Sequence, residues 1–197
     1  MKPRNIGHQY DKIANWWNER HYNSEYGLGQ VETALDFAFN GTRALDVGCG
    51  SGGRFIQLLQ SRGYDVTGLD ASKKMIDLAK ASHSDCNFVH AEIETWKTDH
   101  KFDFILAWDC LFHLPLELQE PVLSKLCGLL AEGGTMIHTF GDGFGEHTDQ
   151  WHGQTFYYSS IGISKNVEIL QERGLRIRLL DVDQFPEKHV FAISRRE

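Results

Sequence analysis

The chain has 197 residues, 41% of them hydrophobic and 24% charged, so a single domain with a sizeable core accounts for it. A formal net charge of −7 argues against broad, sequence-independent binding to nucleic acid, which depends on Lys and Arg against phosphate. No run approaches the roughly 18 apolar residues of a membrane span, and "MKPRNIGHQYDK" at the N-terminus has no apolar signal core. The four cysteines, Cys49, Cys86, Cys110 and Cys127, form no CxxC pair and lie in core-like segments, which suits a reducing, cytoplasmic compartment better than a disulfide framework.

Residues 1–40 read as a separate helical cap, with helices at "YDKIANWWNER" (10–20) and "GQVETALDFAF" (29–39). From Thr42 onward, short apolar runs alternate with amphipathic segments. "TRALDV" (42–47) predicts a buried strand, and "RFIQLLQSRG" (54–63) a helix ended by Gly63. "YDVTGLD" (64–70) is a second strand, and "SKKMIDLAKAS" (72–82) a helix with Ser72 as N-cap. "CNFVHA" (86–91) and "FDFILAW" (102–108) are the third and fourth strands. "LELQEPVLSKLCGLL" (116–130) is helical, with Pro121 either bending it or marking its start. "GTMIHTF" (134–140) is a fifth strand, and residues 141–160 read as a long functional loop. "SKNVEILQERG" (164–174) is the last helix, followed by strands "LRIRLLDVD" (175–183) and "KHVFAISRR" (188–196) joined by a short turn with Pro186.

This alternation predicts an α/β fold with right-handed crossovers and helices on both faces of the sheet. The expected architecture is a doubly wound, mostly parallel seven-stranded sheet with an antiparallel last strand, read as an antiparallel edge on a parallel core. The whole chain (1–197) is one domain, a cap (1–40) on a Rossmann-like core (41–197).

The stretch "LDVGCGSGG" (45–53) places a glycine-rich turn between the first strand and the first core helix, where an open α/β sheet binds its ligand. Asp70, at the end of the second strand, is placed to grip a ribose hydroxyl, which points to an adenosine-containing ligand. Gly48, Gly50 and Gly53 also satisfy the dinucleotide pattern GxGxxG. Asp46 separates the alternatives. A carboxylate at the mouth of a pyrophosphate site repels phosphate, whereas it attracts a sulfonium and an ammonium group. It therefore favours S-adenosylmethionine over NAD.

With "GLDAS" (68–72) and Met75 added, the stretch resembles the class I S-adenosylmethionine-dependent methyltransferases of small-molecule type, over residues 40–196. The resemblance implies that Asp46, Gly48 and Gly50 line the methionine end, that Asp70 holds the ribose, and that Ala71 and Met75 pack on the adenine. From "HAEIE" (90–94) it implies Glu92 at the adenine amino group and Ile93 at its edge, and from "AWDCLFHL" (107–114) Trp108 beside the cofactor. Tyr10, in a Y-D-x-x-A setting, caps the cofactor in this scheme. Read without the resemblance, Asp46 caps loop N–H groups, Met75 is a core residue of its helix, and Glu92 is a solvated cap.

Methyl transfer asks for positioning, desolvation and sometimes a base. His113 and His138, near the ends of the fourth and fifth strands, are the candidate catalytic groups, the alternative being hydrogen-bonded core histidines. The 141–160 segment is a substrate lid with glycine hinges, a metal site, or a solvated loop with aromatic anchors. No metal is expected. Trp17, Tyr22, His147, His152 and Tyr157 are the candidate substrate contacts. Trp16, Trp17 and Tyr22 equally serve to dock the cap on the sheet. No Asn-Pro-Pro-Tyr motif follows the fourth strand, which argues against DNA. The expected partner is a small-molecule acceptor with an O, N or S nucleophile, and no membrane, the protein being a monomer or homodimer. The product would be S-adenosylhomocysteine. The competing readings are an NAD(P)-binding oxidoreductase and a non-catalytic S-adenosylmethionine-binding module.

Overall fold

Consecutive residues of strand β1 (Arg43–Val47) point to opposite faces, and both faces are buried. Leu45 and Val47 join one apolar cluster and Ala44 the other. Strand β4 (Phe102–Ala107) repeats this, with Ile105 and Ala107 on the first side and Phe104 and Leu106 on the second. A strand buried on both sides needs helices on both sides. The computed structural model, which describes residues 6–38, 41–184, 186 and 188–197, supplies them.

Helices α2 (Leu28–Asp36), α3 (Arg54–Ser61) and α4 (Lys73–Ser82) cover one face through Val31, Ala34, Ile56, Leu59, Ile76 and Ala79. Helices α5 (Leu116–Leu129) and α6 (Gly162–Glu172) cover the other through Val122, Leu126, Ile169 and Leu170. Each such Val, Leu or Ile side chain contributes about 1.5–3 kcal/mol by leaving water. Pro121 lies inside α5, which begins at Leu116, so it neither starts nor ends the helix.

The remaining strands are β2 (Asp65–Asp70), β3 (Asn87–His90), β5 (Leu130–Gly141), β6 (Phe144–Trp151), β7 (Gln154–Ile161), β8 (Leu175–Asp183) and β9 (His189–Arg196). Among the described residues, seven strands form one sheet in the order β3-β2-β1-β4-β5-β9-β8. The first five are mutually parallel, and β9 is antiparallel to both β5 and β8. The antiparallel strand is therefore not the edge. It inserts one position inside, with Ile193 facing Ile137 of β5 and Leu179 of β8.

The expected long loop at 141–160 is instead a two-stranded hairpin of β6 and β7, separate from the main sheet. His152 and Gly153, with φ of 48° and 70°, form its two-residue turn, the geometry that suits a tight hairpin. Its outer strand reads "FGEHTDQW" and is mostly exposed, so it shows no core-facing alternation from which a strand is read.

The cap consists of α1 (Ile6–His21) and α2. Asp11 of α1 accepts hydrogen bonds at one carboxylate oxygen from Ser72 Oγ (2.7 Å) and the Lys74 amide (2.9 Å). It thereby helps cap α4, whose N-cap Ser72 also accepts from the Met75 amide. The hairpin folds down on α1, with Trp151 edge-on to Trp16 and Trp17 at 5.1 and 5.9 Å and Lys12 donating to Gln154. The expected helix end at Phe39 lies outside the described residues, as does the chain before Ile6.

Candidate active site

The glycine loop turns back across the end of β2. The Gly48 and Cys49 amides donate to the Leu69 carbonyl at 2.7 and 3.1 Å. Asp70 then pins both sides of the crevice, accepting from the Gly50 amide at 2.9 Å and the Ser72 amide at 2.7 Å. Gly48 has φ 71°, and a Cβ there would lie 2.4 Å from Cβ of Cys110, so a side chain fails on both conformation and space.

Two carboxylates stand on this wall. Asp46 is 3% exposed, and burial together with the Asp70 charge pushes its pKa up to about 8, against the pull of Arg54. No donor among the described residues reaches the Asp46 carboxylate. Burial also pushes Asp70 up to about 6, although its two amide hydrogen bonds favour the charged form. A buried carboxylate without a donor is costly on its own and suits a ligand that brings a cation. Each Asp70 oxygen uses one acceptor site on an amide and retains another for a ligand hydroxyl.

These groups open into a cavity of about 790 Å³, within the range of roughly 300–1,000 Å³ typical of small-molecule sites. The structure brings Tyr10, Trp17, Asp46, Gly48, Gly50, Asp70, Ala71, Met75, Glu92, Ile93, Trp108 and His113 to its lining. Met75 is also 1% exposed, so it serves helix packing and the wall together. His113 sits in a single 3₁₀ turn, residues 111–113. Its Nδ1 lies 2.8 Å from the Tyr157 carbonyl and its Nε2 3.0 Å from the Tyr10 hydroxyl. A carbonyl only accepts, so Nδ1 carries the hydrogen and Nε2 accepts from Tyr10. Burial lowers the pKa of this ring to about 4, so it is neutral at pH 7.

Other expected contacts fall elsewhere. His138 is 0% exposed, hydrogen-bonded to Asn166 at 3.2 Å, and outside the lining, because its position on β5 points into the layer under α6. A base must reach its proton within hydrogen-bond distance, which this position does not allow. Tyr22 stacks on His83, with its hydroxyl 3.4 Å from His83 Nε2. His147 is exposed and stacked on Tyr158, and His152 is exposed at the hairpin turn against Trp16. The Tyr157 hydroxyl bonds Glu146, and it is the residue's backbone carbonyl that reaches the site. Among the described residues, no group of three or more His, Cys, Asp or Glu is placed to hold a metal.

Sequence reasoning missed four residues here. Arg54 donates to the Tyr26 carbonyl at 2.6 Å and the His21 carbonyl at 3.4 Å, and it lines the cavity with Tyr26. Asp109, two positions beyond β4, lines it too, and His189 of β9 lies 2.9 Å from its Oδ1. The available signal for Asp109 was its place at the carboxyl end of a parallel strand, whereas His189 had none.

This sheet order, with a glycine loop after β1 and an acid at the end of β2, is the architecture of the class I S-adenosylmethionine-dependent methyltransferases. Residues 44–134, just under half of the chain, match the family model described as a methyltransferase domain. It is 30% identical over 119 residues to phosphoethanolamine N-methyltransferase 2 of Caenorhabditis elegans, covering 56% of this chain and 26% of that protein. It is 30% identical over 139 residues to a ubiquinone biosynthesis O-methyltransferase of Coxiella burnetii, covering 64% of this chain and 57% of that one. The chain thus spans between about a quarter and just over half the length of these relatives. In fold it resembles the 1,6-didemethyltoxoflavin-N1-methyltransferase of Burkholderia thailandensis, with a TM-score of 0.72 at 17% identity over 97% of this chain and 87% of that one.

Proposed function

We propose that this protein transfers a methyl group from S-adenosylmethionine to a small-molecule acceptor. The observation that carries this reading is the pair of carboxylates on one wall of the cavity, Asp46 with its raised pKa and no donor, and Asp70 held by two loop amides. Asp46 suits the cationic methionine end of the cofactor, and Asp70 suits the ribose hydroxyls. Ala71, Met75, Ile93 and Glu92 line the same cavity and suit the adenine end of the cofactor. S-adenosylmethionine, when bound, supplies a methyl group already activated on a sulfonium. The chain then has to hold the acceptor in line, exclude water and receive a proton if one is released.

His113 does not offer a free nitrogen for that last task, because Tyr10 occupies Nε2. The Tyr10 oxygen keeps acceptor capacity while its own proton points to His113, so a proton leaving the acceptor passes through Tyr10. Two relatives bearing 30% identity carry small molecules in their names, phosphoethanolamine and ubiquinone biosynthesis, which supports an acceptor of that size. Calorimetric titration with S-adenosylmethionine, S-adenosylhomocysteine and NAD, repeated on Asp70→Ala, tests the reading. Binding of the first two, lost in the variant, is expected. NAD binding alone would move the protein to the oxidoreductases.

A further inference from the structure

Asp109 is a non-glycine residue held at φ 53°, two positions beyond β4 and on the cavity wall. Several contacts fix it there. Its amide donates to Thr139 Oγ1 at 2.8 Å, that hydroxyl donates back to Oδ1 at 3.3 Å, and His189 Nε2 lies 2.9 Å from the same Oδ1. The other ring nitrogen of His189 contacts the Asp183 carboxylate, and Asp183 also accepts from Gln30 at 3.1 Å. Burial alone would lower the His189 pKa, but the two carboxylates outweigh it and raise it, and the Gln184 side-chain amide lies 3.0 Å from the same Nδ1. Asp109, the member on the cavity wall, is the most exposed of the three, its side chain 26% exposed against 12% at His189 and 15% at Asp183.

The bonds from His189 and Thr139 both fall on Oδ1, and the Tyr26 hydroxyl also hydrogen-bonds this carboxylate, so of its roughly four acceptor positions one is left for a ligand donor. Trp108 stands beside it, packed against Tyr26 at 5.8 Å and Phe55 at 6.0 Å between ring centroids. Among the described residues, Asp46, Asp70, Glu92, Glu94, Asp109 and Glu117 line the cavity, and Arg54 is the only Lys or Arg that does. Arg54 is committed, donating to the Tyr26 carbonyl and lying 4.2 Å from the Phe55 ring centroid. Such a lining attracts a cation and penalises a second anion.

We propose that Asp109, held in place by His189, is the acceptor anchor of this cavity and selects molecules bearing an amine over the matching alcohol or carboxylate. Calling the ligand an acceptor rests on the methyltransferase reading, whereas the amine selectivity is a property of the cavity itself. Asp109 touches the ligand in this scheme, and His189 is a positioning residue.

The test uses three probes of one shape, phenethylamine, 2-phenylethanol and 3-phenylpropionate, titrated calorimetrically into the protein alone and saturated with S-adenosylhomocysteine. The amine is expected to bind more than about tenfold tighter than either other probe. Asp109→Asn should erase that preference and leave S-adenosylhomocysteine affinity in place, and because Asn tolerates positive φ the backbone is retained. His189→Gln should narrow the amine-to-alcohol ratio, which a loss of general stability would not do. Equal binding of amine and alcohol, tighter binding of the acid, or a preference that survives Asp109→Asn would overturn the proposal. Absent S-adenosylhomocysteine binding would overturn the cofactor reading instead, with the amine ratio still read on the protein alone.

Discussion

Tyr10 and His113, 103 positions apart, meet with the Tyr10 hydroxyl 3.0 Å from His113 Nε2, while the other ring nitrogen bonds the Tyr157 carbonyl. One imidazole therefore joins the N-terminal helix, the turn after β4 and the hairpin. Tyr10→Phe leaves Nε2 buried without its donor, which should cost about 1–3 kcal/mol of stability. A double-mutant cycle with His113→Phe, followed by denaturant unfolding, should give a coupling of about 0.5–3 kcal/mol. Simple additivity of the two single variants would show that the contact contributes nothing.

Asp46 links ligand binding to protons. Its folded pKa of about 8 lies above its ordinary value of 3.8, so between those pH values the folded state holds a proton that the unfolded state has released. That contribution favours the folded state at low pH and is lost as pH rises through about 8. A cationic ligand prefers the carboxylate, so binding S-adenosylmethionine below pH 8 should release a proton and tighten as pH rises toward 8. Asp46→Asn should remove that release, measured calorimetrically in buffers of different ionisation heat. The same change should stabilise the ligand-free protein near pH 8 by about 1–2 kcal/mol while weakening binding.

His138 provides a contrast with His113. Burial holds its pKa at about 4, below the ordinary 6.5, despite the Asn166 hydrogen bond. The unfolded ring takes up a proton in that interval and the folded one does not, so this contribution is present above pH 6.5 and lost as pH falls toward 4. His138→Gln should keep turnover within about twofold of the parent, since the side chain does not reach a substrate. It should also flatten the acid limb of the stability profile by up to about 1.4 kcal/mol per pH unit. A large loss of turnover with unchanged stability would contradict this placement.

The hairpin closes on α1 through aromatic edges. Trp151 touches Trp16, Trp17 and Phe156 with centroid separations of 5.1–5.9 Å. Trp151→Ala removes these contacts, each worth about 0.5–1.5 kcal/mol. Hydrogen exchange across residues 6–21 should quicken markedly, with β1 and β4 unchanged. Protection of α1 equal to that of the parent would show that the hairpin does not hold the cap.

What was legible differs from segment to segment for physical reasons. The stretch from β1 through α4 was readable because its signals are local: a buried apolar run, glycines where φ is positive, and Ser72 at a helix start. Ten expected cofactor residues line one cavity because each lies at or just beyond a strand's carboxyl end, or on the helix above it. The hairpin escaped because its inner strand β7 packs against the 111–113 turn, α5 and α1 while its outer strand β6 is mostly exposed and carries no apolar alternation. His147, His152 and Tyr22 pattern like ligands in the chain, yet their side chains spend their contacts on Tyr158, Trp16 and His83.

By itself the amino-acid sequence determined the alternating elements, the glycine loop and the two acids beside it, because each depends on neighbours a few residues away. Tertiary structure alone decided that β9 inserts between β5 and β8, which carries His189 to Asp109 across 80 positions. It also decided that His113 rather than His138 reaches the cavity. His113 lies in the turn after β4 under α1, whereas His138 lies within β5 against α6, and that packing assigns them different surroundings.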